Sequence, residues 1–172
     1  MYQYVKRFFD IVLSLGAIIV LSPVLLVLAV LIKLDSKGPV LFRQKRVGKG
    51  KTHFEILKFR TMYADVPKDV PTHLLADPAS KITKIGRFLR KSSLDELPEL
   101  WNIFKGDMSF VGPRPERQYF IDKIKEVNPN YDYLFLVRPG VTSMATIYNG
   151  YTDTLEKMLT RLEMDLEYLQ KR

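Results

Sequence analysis

The chain has 172 residues, with 27 Lys or Arg against 19 Asp or Glu, and so carries a formal net charge of +8. That length suits one domain with a core of its own, and the basic excess asks for an anionic partner: nucleic acid, anionic lipid and a phosphorylated substrate each satisfy it. Cysteine is absent, which excludes disulfides, thiolate zinc clusters and thiol nucleophiles.

From Ile11 through Ile32 there is no charged residue, and only Ser14, Gly16, Ser22 and Pro23 interrupt the apolar run. As a helix these residues reach about 33 Å, enough to cross a hydrocarbon core. A soluble core helix is the competing reading, but a small domain seldom wraps every side of so long an apolar rod. A cleaved signal peptide is set aside because Lys33-Leu34-Asp35 follows the run where a small-x-small site belongs. Lys6 and Arg7 precede the run, and Lys33, Lys37, Arg43, Lys45 and Arg46 follow it. A simple span concentrates basic residues on one side; two basic flanks favour a helix that returns to the face it entered. Pro23 lacks an N–H and favours a kink at the middle, with Ser22 placed to resatisfy a freed carbonyl. An ordinary kinked span remains the alternative.

Beyond the apolar segment, Val40-Leu41-Phe42 and Phe54-Glu55-Ile56-Leu57 are strand candidates on either side of a Gly48-Lys49-Gly50-Lys51 turn. Gly50-Lys51-Thr52 matches the end of a P-loop, but Lys45 occupies the position that needs the earlier glycine, so no P-loop is assigned. Residues 62 to 80, with Pro67, Pro71 and Pro78, read as an irregular connection or lid. Lys81 to Lys91 reads as a basic amphipathic helix with Ile82, Ile85, Phe88 and Leu89 on one stripe, suited to a membrane interface. Ser93 followed by Glu96 is a capping-box pattern for a helix through Leu97, Leu100, Trp101 and Phe104, stopped at Gly106. Gly112-Pro113-Arg114-Pro115 is a stiff loop that fixes Arg114. A helix from Glu116 ends at Asn128-Pro129-Asn130, and Arg138-Pro139-Gly140 makes a second rigid turn. Leu155, Leu159, Leu162, Leu166 and Leu169 form a packing stripe for this domain, another chain or lipid.

Chemistry is best placed at Asp95-Glu96, which lies just after Arg87, Arg90 and Lys91 and opens a helix. Carboxylates attack phosphorus or hold Mg2+, and arginines from stiff loops neutralise the transferring oxygens. The bland reading makes Glu96 a capping residue and Arg114 and Arg138 structural or lipid contacts. His53 and His73 are read as surface or loop histidines, too far apart in sequence to suggest a metal site.

Taken in order, Lys6-Arg7-Phe8-Phe9-Asp10, Ser22-Pro23, Gly38-Pro39-Val40-Leu41-Phe42-Arg43-Gln44, Lys58-Phe59-Arg60-Thr61-Met62 and Gly86-Arg87-Phe88-Leu89-Arg90 make a recognisable series. It continues with Ser93-Leu94-Asp95-Glu96-Leu97-Pro98-Glu99-Leu100, Asn102, Gly106-Asp107-Met108-Ser109, Val111-Gly112-Pro113-Arg114-Pro115 and Arg138-Pro139-Gly140-Val141-Thr142. Over nearly its whole length the chain resembles the catalytic domain of the monotopic phosphoglycosyl transferases, bacterial sugar transferases that act on a polyprenol phosphate. The resemblance implies a mainly α fold with a small β-hairpin. A membrane-embedded re-entrant helix-break-helix hinged at Ser22 and Pro23 occupies residues 1–36. Interfacial amphipathic helices surround a compact cytoplasmic catalytic domain over residues 37–172, at the bacterial inner membrane.

It implies transfer of a sugar 1-phosphate from a UDP-sugar to undecaprenyl phosphate, with release of UMP. Asp95 is then the nucleophile and Mg2+ ligand, Glu96 completes the dyad, and Arg90, Arg114, Arg138 and Lys58 are the phosphate-binding residues. Anionic phospholipid is an expected partner, a homodimer through the leucine stripe stays open, and nucleic acid is not expected. After Thr142 the sequence departs from many relatives, with Ser143-Met144-Ala145-Thr146 where they place Gly and then an aromatic residue or Leu-Ala. That leaves the sugar preference open. The alternatives from other classes are a non-catalytic basic membrane adaptor and a membrane-tethered nucleic-acid binder, for which no recognition module stands out.

Overall fold

The computed structural model describes residues 2–67, 77–150, 152 and 154–171. His73 and Pro71, read above as loop residues, lie outside the described residues.

The apolar run forms the greater part of α1 (Tyr2–Asp35), a helix of 34 residues. Its most apolar window has a mean hydropathy of 3.0 and only 11% of it is buried, which removes the soluble core-helix reading. The helical backbone continues through Pro23. Pro23 cannot donate to the carbonyl four residues back, and Ser22 Oγ donates to that same Ile19 oxygen at 2.8 Å.

Both ends of α1 rest on the rest of the chain. At the first end, Arg7 donates to the carbonyls of Ile103 at 2.6 Å and Phe104 at 2.7 Å. These lie in the last turn of α3 (Glu99–Lys105), where carbonyls lack helical partners. Asp10 is buried, and its Oδ1 accepts from Ser109 Oγ at 3.0 Å and Phe110 N at 3.1 Å. Lys6 donates to Ser109 Oγ and to the Val111 carbonyl. At the other end, buried Arg60 donates to the carbonyls of Ser36 at 2.8 Å and Lys37 at 2.5 Å. Asp35 Oδ2 accepts from Ile85 N at 3.0 Å, in the first turn of α2 (Lys84–Ser92).

The expected hairpin is β1 (Leu41–Val47) and β2 (His53–Phe59), antiparallel with Leu41 opposite Phe59 and Val47 opposite His53. Its turn passes through Lys49–Lys51, where Gly50 takes φ +65°. On β2, Phe54, Ile56 and Phe59 point inward and Lys58 keeps a part-exposed face. A second sheet escapes the sequence reading: β3 (Ser109–Val111) runs parallel to β4 (Gly140–Thr142). Runs of three residues are too short to show a period of two. A Cβ on Gly140 would stand 2.1 Å from Gly112 N, so the Gly112 and Gly140 turns lie back to back only as glycines.

α4 (Gln118–Val127) has the expected length and ends at Asn128, whose side chain accepts from Asn130 N. A 3-10 run covers Pro129–Leu136. α5 (Met144–Asn149) opens on Ser143, whose hydroxyl accepts from Thr146 N, and α6 (Leu155–Lys171) closes the described chain. Four of the five leucines of the α6 stripe pack within the chain: Leu162 is buried, and Leu159, Leu166 and Leu169 lie against the cluster that holds Ile121, Ile124, Tyr131 and Phe135, while Leu155 stays exposed. A second core joins Leu28 and Ile32 of α1 to Phe59 and Leu89. Much of the apolar stripe of α2 is therefore taken up by α1 and β2, with Phe88 left exposed. The third core brings Phe54 and Ile56 against Ile103 and Met108.

Candidate active site

The capping box expected from Ser93 to Glu96 does not form. Ser93 adopts the left-handed conformation, φ +56°, as the C-cap of α2, and its side chain caps nothing. A 3-10 turn, Leu94–Glu96, follows, and α3 begins only at Glu99. A capping residue needs extended backbone to aim its oxygen at the next turn, and a left-handed one cannot supply it. Glu96 is thereby released from backbone duty.

Its carboxylate goes instead to two cations. Glu96 Oε1 accepts from Lys58 Nζ at 2.5 Å and from Arg114 Nη2 at 2.6 Å. Burial alone would push this carboxyl up, but Arg114 and Lys58 outweigh it and hold it down at about 2. The same pairing more than offsets desolvation of the Arg114 guanidinium and raises its pKa above the usual value.

Lys58 also stands 3.2 Å from Glu99 Oε1, without the alignment of a hydrogen bond. Glu99 is 1% exposed, and burial pushes its carboxyl up against the pull of Lys58. The sequence reading missed this third carboxylate as a site residue; its three-residue spacing from Glu96 was the one signal for it. Asn102 sets the distance between the two elements. Its Oδ1 accepts from Leu57 N at 3.0 Å and its Nδ2 donates to the Glu55 carbonyl at 2.7 Å. It occupies the edge of β2 as a neighbouring strand would and fixes Lys58 over α3.

Asp95 differs from its neighbour. Among the described residues no side chain donates to its carboxylate. Burial raises its pKa, Lys58 and Arg90 pull it back, and the adjacent Glu96 adds to the rise. Arg90 is oriented by a hydrogen bond from Nε to Thr61 Oγ1 at 2.9 Å. Asp95, Glu96, Lys58, Arg114 and Arg90 are thus gathered as the sequence suggested. Arg138 is not among them. Its Nε donates to the Gly106 carbonyl at 2.9 Å, and it lines a separate cleft with Lys6, Arg7 and Asp10. The stiffness of the Arg138-Pro139-Gly140 turn marked it as well placed, but that turn faces the base of α1.

A magnesium site made from protein alone is not present: among the described residues no three His, Cys, Asp or Glu converge. The residues still suit Mg2+, which binds through one or two carboxylates with substrate phosphates completing its shell. Asp95 offers a carboxylate to which no side chain among the described residues donates, and buried Glu99 Oε1 has no hydrogen-bond partner among them.

A partly desolvated carboxylate beside a paired one, in a cationic cradle on a chain with an exposed apolar helix long enough to cross a membrane, is the arrangement of a membrane-associated protein that handles an anionic group. A family model described as "Bacterial sugar transferase" matches residues 1–172, and the chain belongs to that family. Similar proteins include the UDP-N-acetylgalactosamine-undecaprenyl-phosphate N-acetylgalactosaminephosphotransferase of Aeromonas hydrophila, 40% identical over 169 residues. That match covers 98% of this chain and 40% of the relative. The UDP-glucose:undecaprenyl-phosphate glucose-1-phosphate transferase of Escherichia coli K12 is 42% identical over 98% of this chain and 37% of its own length. The exopolysaccharide production protein PSS of Rhizobium leguminosarum bv. phaseoli is 42% identical over 95% of this chain and 84% of its own. The chain thus spans about two-fifths of the length of the first two relatives.

Proposed function

We propose that this chain transfers a sugar 1-phosphate from a UDP-sugar to undecaprenyl phosphate at the cytoplasmic face of a bacterial inner membrane, as a step that starts a surface glycan. The observation that carries the reading is the contrast between neighbouring carboxylates, Asp95 with no side-chain donor among the described residues and Glu96 locked to Lys58 and Arg114. A carboxylate without strong donors keeps its nucleophilicity. An Asp95 oxygen attacks the β-phosphorus, the bond from that phosphorus to the bridging oxygen breaks, and UMP leaves with the bond's electron pair. A phosphate oxygen of the lipid then attacks the same phosphorus, and the Asp95 carboxylate departs, leaving a polyprenyl diphosphosugar.

Lys58, Arg114 and Arg90 supply positive charge to the oxygens around that phosphorus, and Glu96 keeps the first two in place. Asp95, with Glu99 beside it, would hold a Mg2+ ion, which would supply further neutralisation of the diphosphate. Arg138 has no part in this cradle and is assigned to the scaffold.

The re-entrant form of α1 belongs to the same reading. A straight helix of this length reaches about 51 Å, while its two ends are bound by α3 and β3 on one side and by Arg60 and α2 on the other. Anionic phospholipid suits the basic flanks of α1. The leucine stripe, occupied within the chain at every position but Leu155, lends no support to a homodimer. Purified protein incubated with a panel of UDP-sugars, Mg2+ and undecaprenyl phosphate is expected to release UMP, and Asp95→Asn to abolish it. Transfer by Asp95→Asn at the parental rate would sink the assignment of the nucleophile.

A further inference from the structure

The far end of the chain reaches the back of the cradle. Asp165 on α6 is 2% exposed, and its Oδ1 has no hydrogen-bond partner among the described residues. The Arg114 main-chain N–H and the Ser143 hydroxyl lie within hydrogen-bonding reach of the carboxyl. One turn earlier, buried Arg161 donates to Glu116 Oε1 at 2.5 Å, and Glu116 Oε2 accepts from Arg46 at 3.3 Å. The loop from Gly112 to Glu116 therefore meets one helix from behind at two points, hydrogen-bonded through Glu116 to Arg161 and with the Arg114 main chain beside the Asp165 carboxyl, while the Arg114 side chain reaches forward to Glu96.

We infer that Asp165 is a positioning residue for the transfer reaction, fixing the main chain of Arg114 so that its guanidinium meets Glu96 and the phosphate beside Asp95. This inference rests on the function proposed above. A packing role alone does not call for this residue: asparagine fills nearly the same volume without a buried charge, and an unsatisfied buried carboxylate oxygen works against stability.

Burial pushes the Asp165 carboxyl up to about 6, against Ser143, Arg161 and the Arg114 N–H. The charged and titratable groups around it are Arg161 on α6, Arg114 and Glu116 in the loop, Arg46 on β1 and Tyr131 in the 3-10 run. Because the folded pKa is raised, Asp165 favours folding most below the ordinary carboxylate range, and that contribution is lost as pH rises through about 6. At pH 7.5, then, Asp165→Asn unfolds at a temperature no lower than the parent. Activity behaves oppositely.

The test measures UMP release and thermal unfolding from pH 5 to 8.5 for the full chain, Asp165→Asn and Ser143→Ala, with UDP-sugar and undecaprenyl phosphate. For Asp165→Asn, kcat falls roughly tenfold at pH 7.5 with KM for the UDP-sugar within about twofold, the pattern of lost transition-state alignment. Ser143→Ala keeps the carboxyl but removes a donor to it, so the acid limb of the kcat profile moves to higher pH. If Asp165→Asn does not fold, the limb in Ser143→Ala decides alone. Parental kcat and pH profile in every folded variant overturn the inference and leave the proposed function standing. A parent that releases no UMP from any UDP-sugar overturns the proposed function, and this inference with it.

Discussion

Glu96 concentrates two cations on one carboxylate oxygen, and acid should expose the consequence. Its folded pKa of about 2 lies below the ordinary value of 4.5, so the ionised form favours folding. That stabilisation is complete above about pH 4.5 and is lost as pH falls toward 2. Glu96→Gln leaves Lys58 and Arg114 facing an amide, so the parent exceeds it in thermal stability at neutral pH. The gap in unfolding temperature should close between pH 4.5 and 2; a gap constant across that window would show that Glu96 does not carry the pairing. At this scale much of the candidate site was legible: Asp95, Glu96, Lys58, Arg90 and Arg114 were named from their motifs and do converge. Glu99 was not, because a carboxylate inside an apolar-looking helix gains meaning only when a lysine from a distant strand arrives above it. Arg138 does not join that group, since a rigid turn fixes where a side chain points without saying what lies there.

Elements meet in this fold at contacts that admit no side chain. A Cβ at Gly86 would stand 2.0 Å from the Thr61 carbonyl oxygen, so Gly86→Ala must push α2 away from the end of β2. A loss of about 3 kcal/mol is expected, read as a lowered unfolding temperature in detergent. Gly16→Ala is the control: nothing lies within 4 Å of its added methyl, and in a helix interior alanine is favoured by up to about 1 kcal/mol. Equal effects at both positions would contradict the close approach. The hairpin, α2, α4 and the leucine-striped α6 could be read from periodicity and punctuation. The β3–β4 pair and the six-residue α5 could not, since neither is long enough to display a period. The capping box failed because its motif describes side chains, whereas the left-handed backbone of Ser93 is imposed by the tight passage from α2 into the next turn.

For the whole molecule the open question is the path of α1. The chain has no cysteine, so single thiols report accessibility without background. Gln3→Cys and Lys37→Cys, both at exposed positions flanking the apolar run, should react with a membrane-impermeant maleimide from the same face of oriented vesicles. Labelling from opposite faces would replace the re-entrant path by a span. The inward grip of Arg7, Asp10, Asp35 and Arg60 makes the same-face outcome the expected one, because both ends of α1 serve as packing surfaces for a single domain.

By itself the sequence determined that a long apolar helix would stay unburied, that basic residues would gather around an Asp-Glu pair, and that a hairpin and a striped helix would frame them. Each of these follows from local composition and spacing, which act over one or two turns of chain. Only the tertiary structure decided which charges pair. Glu96 takes Lys58 and Arg114 across 38 and 18 residues of sequence, Arg138 turns to the base of the membrane helix, and Asp165 lies behind the Arg114 loop. Electrostatic interactions depend on separation and burial in space, and no pattern along the chain contains either quantity.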